Sequence, residues 1–170
     1  MIAGVGMILG IYEKLPAGTE FNDTLVLPFV RRQKSRLRVV LESGDEAALI
    51  LERGSILRGG DRLKADDGRI VKVEAALEPV LYVTASSPLQ LSRAAYHLGN
   101  RHVPLQLGAE WLLLEQDHVL EEMLLGLGMT VFEKISPFEP EAGAYGGGHR
   151  HHPAEDDAPL IRAPRKHAHG

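Results

Sequence analysis

The sequence predicts an α+β protein that ends in a histidine-rich tail. Two observations predict the fold class: short apolar runs between turns up to about residue 73, then longer runs that alternate between strand and helix spacing. A separate observation predicts the tail. From Ser136 onward the apolar periodicity is lost among Pro, Gly, His and acidic residues, which predicts disorder. We place the boundaries at residues 1–74, 75–138 and 139–170.

Short strands account for the first domain. Turns at Ser43-Gly44-Asp45, Gly59-Gly60-Asp61 and Asp66-Asp67-Gly68 separate them. Several short strands at this spacing predict a small β-sandwich or barrel. The predicted strands are 24–27, 37–41, 47–51, 62–64 and 70–73.

A basic cluster interrupts this β-rich domain, and two interpretations of it stay open. It is a solvated edge strand whose charges discourage aggregation, or a surface that binds an acidic partner. Its members are Arg31, Arg32, Lys34, Arg36 and Arg38.

The second domain contains two helices with clear start and stop signals. Ser87 is a good N-cap, and Gly99 ends the first helix; Asp117 caps the second, which Gly126 stops. The predicted strands around these helices are 78–85, 103–107, 111–114 and 130–135. The order strand, helix, strand, strand, helix, strand predicts a ferredoxin-like βαββαβ domain.

Composition excludes several classes of function. A net charge of -4 gives no reason to expect nucleic acid, and the absence of cysteine excludes disulfides and thiolate metal sites. The apolar N-terminus, residues 1–12, is too short to span a membrane and lacks a basic region typical of a signal peptide. We expect a cytoplasmic protein without membrane contact. No catalytic set emerges, so we expect no enzyme.

Histidines are the residues most able to carry chemistry. Five of the eight lie in the tail near Glu155, Asp156 and Asp157, and imidazole and carboxylate groups suit nickel, zinc and copper ions. These five are His149, His151, His152, His167 and His169. Composition alone does not choose among the metals.

Three further histidines lie in the second domain. His97 falls on the last turn of its first helix, His102 in the connection after it, and His118 in the first turn of the second helix. One loop histidine is usually only a surface residue. A single imidazole is also a poor site for an ion that takes four or more ligands.

Four motifs in order resemble the urease accessory protein E family of nickel metallochaperones. They are Gly99-Asn100-Arg101-His102, Asp117-His118-Val119-Leu120, Pro137-Phe138-Glu139-Pro140 and the histidine-rich tail. The resemblance is specific over residues 75–152 and looser before them. It implies an N-terminal partner-binding domain and a C-terminal domain that binds metal and forms a homodimer.

The resemblance also assigns expected roles. It implies that His102 is the metal ligand at the dimer interface and that His97 and His118 are peripheral ligands, although Gln116 stands where some members have another histidine. The implied function is delivery of Ni²⁺ to apo-urease, with the urease accessory GTPase complex as a partner. Zn²⁺ or Cu²⁺ can bind the same sites.

Two other functions compete with this expectation. A nickel or zinc storage protein would hold most of its metal in the tail. A metal-dependent hydrolase would need His97, His102 and His118 around one ion in one chain, with an open coordination position.

Overall fold

The computed structural model of the chain describes residues 8–142. The first half of this range contains β1 (Leu9–Leu15), β2 (Asp23–Leu27), α1 (Phe29–Arg32), β3 (Arg36–Val40), β4 (Glu46–Ile50), β5 (Arg62–Ala65) and β6 (Ile70–Ala75). The second half contains β7 (Leu77–Thr84), α2 (Pro88–Gly99), β8 (Gln106–Leu107), β9 (Trp111–Glu115), α3 (His118–Gly126) and β10 (Thr130–Pro137). No helix within residues 8–142 is long and apolar enough to cross a membrane.

The N-terminal domain is one six-stranded sheet that curls into a nearly closed barrel. Its strand order is β2-β6-β5-β1-β4-β3, so β2 and β3 form the two edges. The backbone N–H of Glu42 donates to the carbonyl of Thr24 over 2.9 Å, which brings these edges together. Ile11, Leu25 and Leu63 are fully buried inside. The prediction of a small β-rich, barrel-like domain is confirmed.

Two elements of this domain were not predicted. The alternating residues Leu9 and Ile11 of β1 are buried, but they lie in a continuous apolar run that hid their period of two. The short helix α1 lies inside the basic cluster. That cluster is therefore not one solvated strand: Arg32 belongs to a helix, and only Arg36 and Arg38 lie on the edge strand β3.

The C-terminal domain is a four-stranded antiparallel sheet with α2 and α3 packed on one face. Its strand order, β10-β7-β9-β8, is that of a ferredoxin-like domain and confirms the prediction. The predicted caps are present: Ser87 accepts from the backbone N–H of Gln90, and Asp117 from those of Val119 and Leu120. The predicted strand 103–107 is shortened to β8, because the N–H of Val103 is engaged by the end of α2.

A buried arginine joins the two domains. Arg32 is fully buried, and it donates within its own domain to the carbonyls of Leu27 (3.1 Å) and Leu57 (3.3 Å). Across the junction it donates to the carbonyl of Phe138 and pairs with Glu139 Oε1 at 2.8 Å. One guanidinium therefore satisfies groups from both domains, and each of those groups in turn compensates its buried charge.

Residues after β10 complete this junction. Phe138 is buried and packs edge-on against Phe29, with ring centroids 5.6 Å apart. Glu139 also accepts from the backbone N–H of Gly59 at 2.7 Å and pairs with Arg58 at 3.4 Å. The expectation of disorder from Ser136 onward is therefore wrong for residues 136–142. The aromatic ring and the paired carboxylate bury against the barrel, which composition alone did not indicate.

A second carboxylate, Glu78, is buried beside Arg32. It accepts from the backbone N–H of Phe29 at 2.8 Å and lies 4.0 Å from the Arg32 guanidinium. Burial raises the pKa of Glu78 above its ordinary value of 4.5, and the hydrogen bond from Phe29 and the charge of Arg32 offset only part of this effect. The junction therefore holds a carboxyl group that ionises at a cost.

We predict that Arg32→Ala lowers the free energy of unfolding by about 3–5 kcal/mol. The substitution removes the donor to the carbonyls of Leu57 and Phe138 and the buried cation beside Glu78 and Glu139. Urea unfolding measures the change. Arg31→Ala is the matched control. The side chain of Arg31 is exposed, so its removal should lower the free energy of unfolding by no more than about 0.5 kcal/mol. Equal losses in the two variants would contradict the assigned role of Arg32.

The stability contributed by Glu78 should decline as the pH rises. Because its pKa is raised on folding, the folded state holds the proton more tightly than the unfolded chain. This contribution is complete below pH 4.5 and is lost as the pH rises through the raised pKa. The free energy of unfolding of the unaltered chain minus that of Glu78→Gln should therefore fall with rising pH, as measured by urea unfolding across that range.

Asp23 supplies a control of opposite sign. Burial opposes its ionisation, but hydrogen bonds from Ser43 and Thr24 and the charge of Arg69 outweigh it, so the pKa of Asp23 lies below its ordinary 3.8. Its contribution is present above pH 3.8 and is lost as the pH falls through the lowered pKa. The same difference measured for Asp23→Asn should therefore rise with pH. Slopes of the same sign in both variants would refute the assignment.

Candidate metal site

The candidate site lies where α2 ends. The N–H of His102 donates to the carbonyl of Gly99 at 2.9 Å, and the N–H of Val103 donates to that of Leu98 at 3.2 Å. These two nested bonds form a Schellman motif, in which the residue at the position of His102 adopts a left-handed conformation. Leu98 is buried in the core of this domain and Val103 packs against that core, so apolar contacts hold both ends of the motif in place.

His102 has an unusual backbone for a histidine. Its φ is 57°, and it is the one residue other than glycine with a positive φ among residues 8–142. Glycine is the usual residue at this position of the motif, because a Cβ in the left-handed region is strained. The imidazole is thus held at an exposed cap at some cost in stability. Such strain is typical of positions retained for function.

The other two histidines of this domain lie on the helices. His97 is half-buried on the last turn of α2; its ring contacts Tyr96 edge-on, with centroids 5.5 Å apart, and its carbonyl accepts from the Arg101 side chain at 3.0 Å. His118 is exposed in the first turn of α3. Gln116, just before it, donates to Glu133 at 2.6 Å.

One chain does not assemble a complete ligand set from these residues. Within residues 8–142, no three His, Asp or Glu side chains lie close enough together to hold one ion. A hydrolase site formed by His97, His102 and His118 in a single chain is therefore not present in this range. The exposed imidazole of His102 is a suitable nitrogen donor for a borderline divalent ion, but further ligands must come from elsewhere.

The remaining predicted site residues are the tail histidines and the partner-binding cations of the N-terminal domain. The five tail histidines lie outside residues 8–142, and they stay a prediction. Of the four predicted partner-binding residues, Arg31, Lys34 and Arg36 are exposed, whereas Arg32 is fully buried. Including Arg32 was wrong, because its side chain joins the domains and is not accessible to a partner.

Both halves of the sequence match one family. Residues 7–76 match the N-terminal domain and residues 78–170 the C-terminal domain of the UreE urease accessory protein. The chain belongs to the UreE urease accessory protein family. The resemblance drawn from the motifs is thereby confirmed, and membership supports a role in urease maturation.

Relatives with the name "Urease accessory protein UreE" agree with this assignment. The relative from Ralstonia nicotianae is 57% identical over 149 residues, which cover 86% of this chain and 71% of the relative. Those from Cupriavidus necator and Cupriavidus pinatubonensis are 61% and 60% identical over 127 residues, 75% of this chain. The match spans 66% and 58% of the lengths of these two relatives.

Sequence reasoning selected His102 but missed its conformation. The signal was available in part: Asn100-Arg101-His102 follows Gly99, which was interpreted as the end of the helix. The helix does end at Gly99, but one more turn of hydrogen bonds follows and closes at Val103. A histidine at the position that favours glycine cannot be inferred from spacing alone.

We predict that His102→Gly raises the free energy of unfolding by about 1 kcal/mol, because glycine adopts the left-handed conformation without strain. His97→Gly is the matched control, since it removes an imidazole five residues earlier in a regular helical turn. It should lower the free energy of unfolding by about 1 kcal/mol. Urea unfolding of both variants measures the difference, and a destabilised His102→Gly would contradict the strain.

Proposed function

We propose that this chain is a nickel carrier for urease maturation. In this proposal Ni²⁺ is the cargo, His102 from each of two chains holds it, and tail histidines complete the coordination. The observation that carries the proposal is the strained backbone of the exposed His102, in the Schellman motif that ends α2. A cap that needs only to end a helix would be more stable with glycine.

A homodimer accounts for the incomplete ligand set. A two-fold axis beside His102 supplies two equivalent imidazoles from one residue of the sequence. The outer surface of the helical layer supports this arrangement, because large apolar side chains are exposed there: Tyr96 is 66%, Val119 59% and Leu125 52% exposed. An apolar surface of this kind typically marks a contact with another protein surface.

Ligand exchange provides a route for transfer. Two imidazoles leave open positions on an ion that takes four or more ligands, and tail histidines such as His149 and His151 can fill them. A ligand of the receiving protein can then replace a tail ligand before the ion dissociates from His102. In this proposal Zn²⁺ and Cu²⁺ bind the same nitrogen donors, and selection for nickel arises in the complex with the receiving protein.

The proposed partners are apo-urease and the urease accessory GTPase complex. The N-terminal domain offers exposed cations for an acidic partner surface at Arg31, Lys34 and Arg36. Charge of this kind affects the association rate and its salt dependence more than the final affinity. Storage of nickel or zinc is the second candidate, because five histidines lie near Glu155, Asp156 and Asp157 in the last 22 residues.

Calorimetric titration with Ni²⁺ separates the two functions. For a carrier, truncation after Tyr145 should leave one ion per dimer, since the His102 pair remains. For a storage protein, the same truncation should remove most of the capacity.

His102→Gly in the truncated chain tests the site itself. It should abolish the remaining ion while the dimer, checked by sedimentation, persists. Arg101→Gly, which removes the exposed side chain next to His102 that cannot ligate a metal, is the matched control and should retain the ion. Unchanged stoichiometry in truncated His102→Gly, together with unchanged activation of urease by full-length His102→Gly, would overturn the proposed site.

A further inference from the structure

A basic patch lies on the N-terminal domain away from the metal site. Lys34, Arg36 and Arg53 line one depression of about 490 Å³. Its other lining residues are Gln33, Ser35, Leu51 and Gly54. All three cations are exposed. We call these three residues the basic patch.

The basic patch has no acidic partner within residues 8–142. Five other cations of this domain are paired: Arg32 and Arg58 with Glu139, Arg69 with three aspartates, Lys14 with Asp61 and Lys72 with Glu74. Arg31, Arg38, Arg62 and Lys64 also have no carboxylate within 4.0 Å in this range, but they do not line the depression of the basic patch. In the same range, no carboxylate lies within 4.0 Å of a basic-patch nitrogen. Three like charges share a depression without compensation, so an anionic ligand there is favoured.

The described chain ends beside this depression. Pro140 and Glu141 are held in place, since the carbonyl of Pro140 accepts from Arg58 and the N–H of Glu141 donates to the carbonyl of Leu105. Ala142 then lines a second depression on the barrel. The two depressions share Leu51 and Gly54, so the segment that follows Ala142 starts next to the basic patch.

We propose that the acidic run Glu155-Asp156-Asp157 of the same chain docks on the basic patch. Twelve residues separate Ala142 from Glu155, and four of the first six are glycines. Such a segment spans up to about 43 Å when extended, and its root-mean-square end-to-end distance is about 20 Å as a flexible chain. Three carboxylates in sequence match three cations in one depression.

Covalent connection makes this weak contact effective. An exposed ion pair contributes little on its own, so the same acidic run on a separate peptide would bind poorly. A short flexible connection gives an effective concentration in the millimolar range, which favours the docked state without further contacts. Because the charges are exposed, added salt should release the acidic run.

Docking would have two consequences. His149, His151 and His152 lie between Ala142 and the acidic run, so docking confines them to a loop on the barrel. The docked run also covers Lys34 and Arg36, so an acidic partner must displace it. The second consequence rests on the proposed partner-binding role, whereas docking itself depends on neither metal nor urease.

A spin label on the full-length chain tests the docking directly. The sequence has no cysteine, so Ala158→Cys gives one labelling site next to the acidic run. In the ¹⁵N-labelled, metal-free protein at low salt, amide signals of residues 33–36 and 51–54 should lose most of their intensity. The intensity should return in 0.5 M NaCl. Uniform broadening, or none at these residues, would overturn the proposal.

Charge variants give the matched controls. Glu155→Gln/Asp156→Asn/Asp157→Asn and, separately, Lys34→Gln/Arg36→Gln/Arg53→Gln should each restore the lost signals. Arg162→Gln/Arg165→Gln/Lys166→Gln neutralises three tail charges of the opposite sign and should leave the broadening in place. Broadening that survives both restoring variants would refute docking by charge.

A mixed sample distinguishes the chain that supplies the acidic run. Spin-labelled ¹⁴N protein is mixed with unlabelled ¹⁵N protein under conditions in which the subunits exchange. Docking within one chain predicts no broadening of the basic-patch amides in this sample. Broadening there would mean that a second copy supplies the run and would overturn the proposal as stated.

Discussion

The buried guanidinium of Arg32 is the interaction on which the arrangement of the two domains depends. Each domain has its own apolar core, and only Ala76 separates β6 from β7, so the cores alone do not fix the domain orientation. A buried cation must be surrounded by acceptors, and here these come from both domains. The aromatic contact between Phe29 and Phe138 covers the same junction and excludes water from it.

This junction also determines where the histidine-rich end of the chain begins. Glu139 is fixed by Arg32, Arg58 and the N–H of Gly59. Residues 139–141 thus contact the barrel and also the C-terminal domain, where the backbone N–H of Glu141 donates to the carbonyl of Leu105, three residues after His102. In the proposed function, tail histidines reach His102 from this point. The depression that contains the basic patch shares Leu51 and Gly54 with the one that Ala142 lines. In the proposed function, the junction therefore links the orientation of the two domains to the point from which the tail ligands start.

Local signals predicted much of this structure. Ser87 and Asp117 are good caps with apolar helical periodicity after them, and the order of elements in the second domain predicted its ferredoxin-like arrangement. Long-range satisfaction of polar groups was beyond sequence reasoning. In the sequence, Arg32 cannot be distinguished from its exposed neighbours, because its partner Glu139 lies 107 residues away and only the fold brings the two together. The left-handed backbone of His102 could not be predicted for the same reason. It depends on Val103, whose side chain packs on the core and whose N–H closes the motif on Leu98.

The pairing of β10 with β7 is continuous over all eight residues, from Thr130 opposite Thr84 to Pro137 opposite Leu77. Alternate residues of a strand point to opposite faces of the sheet. The number of residues in β10 therefore decides to which face the side chains of Phe138 and Glu139 point. Removing a single residue from this strand would turn the ring away from Phe29 and the carboxylate away from Arg32. The last strand thus acts as a spacer of fixed length, and a deletion after Val131 would uncouple the barrel from the C-terminal domain while leaving the apolar core of each domain intact.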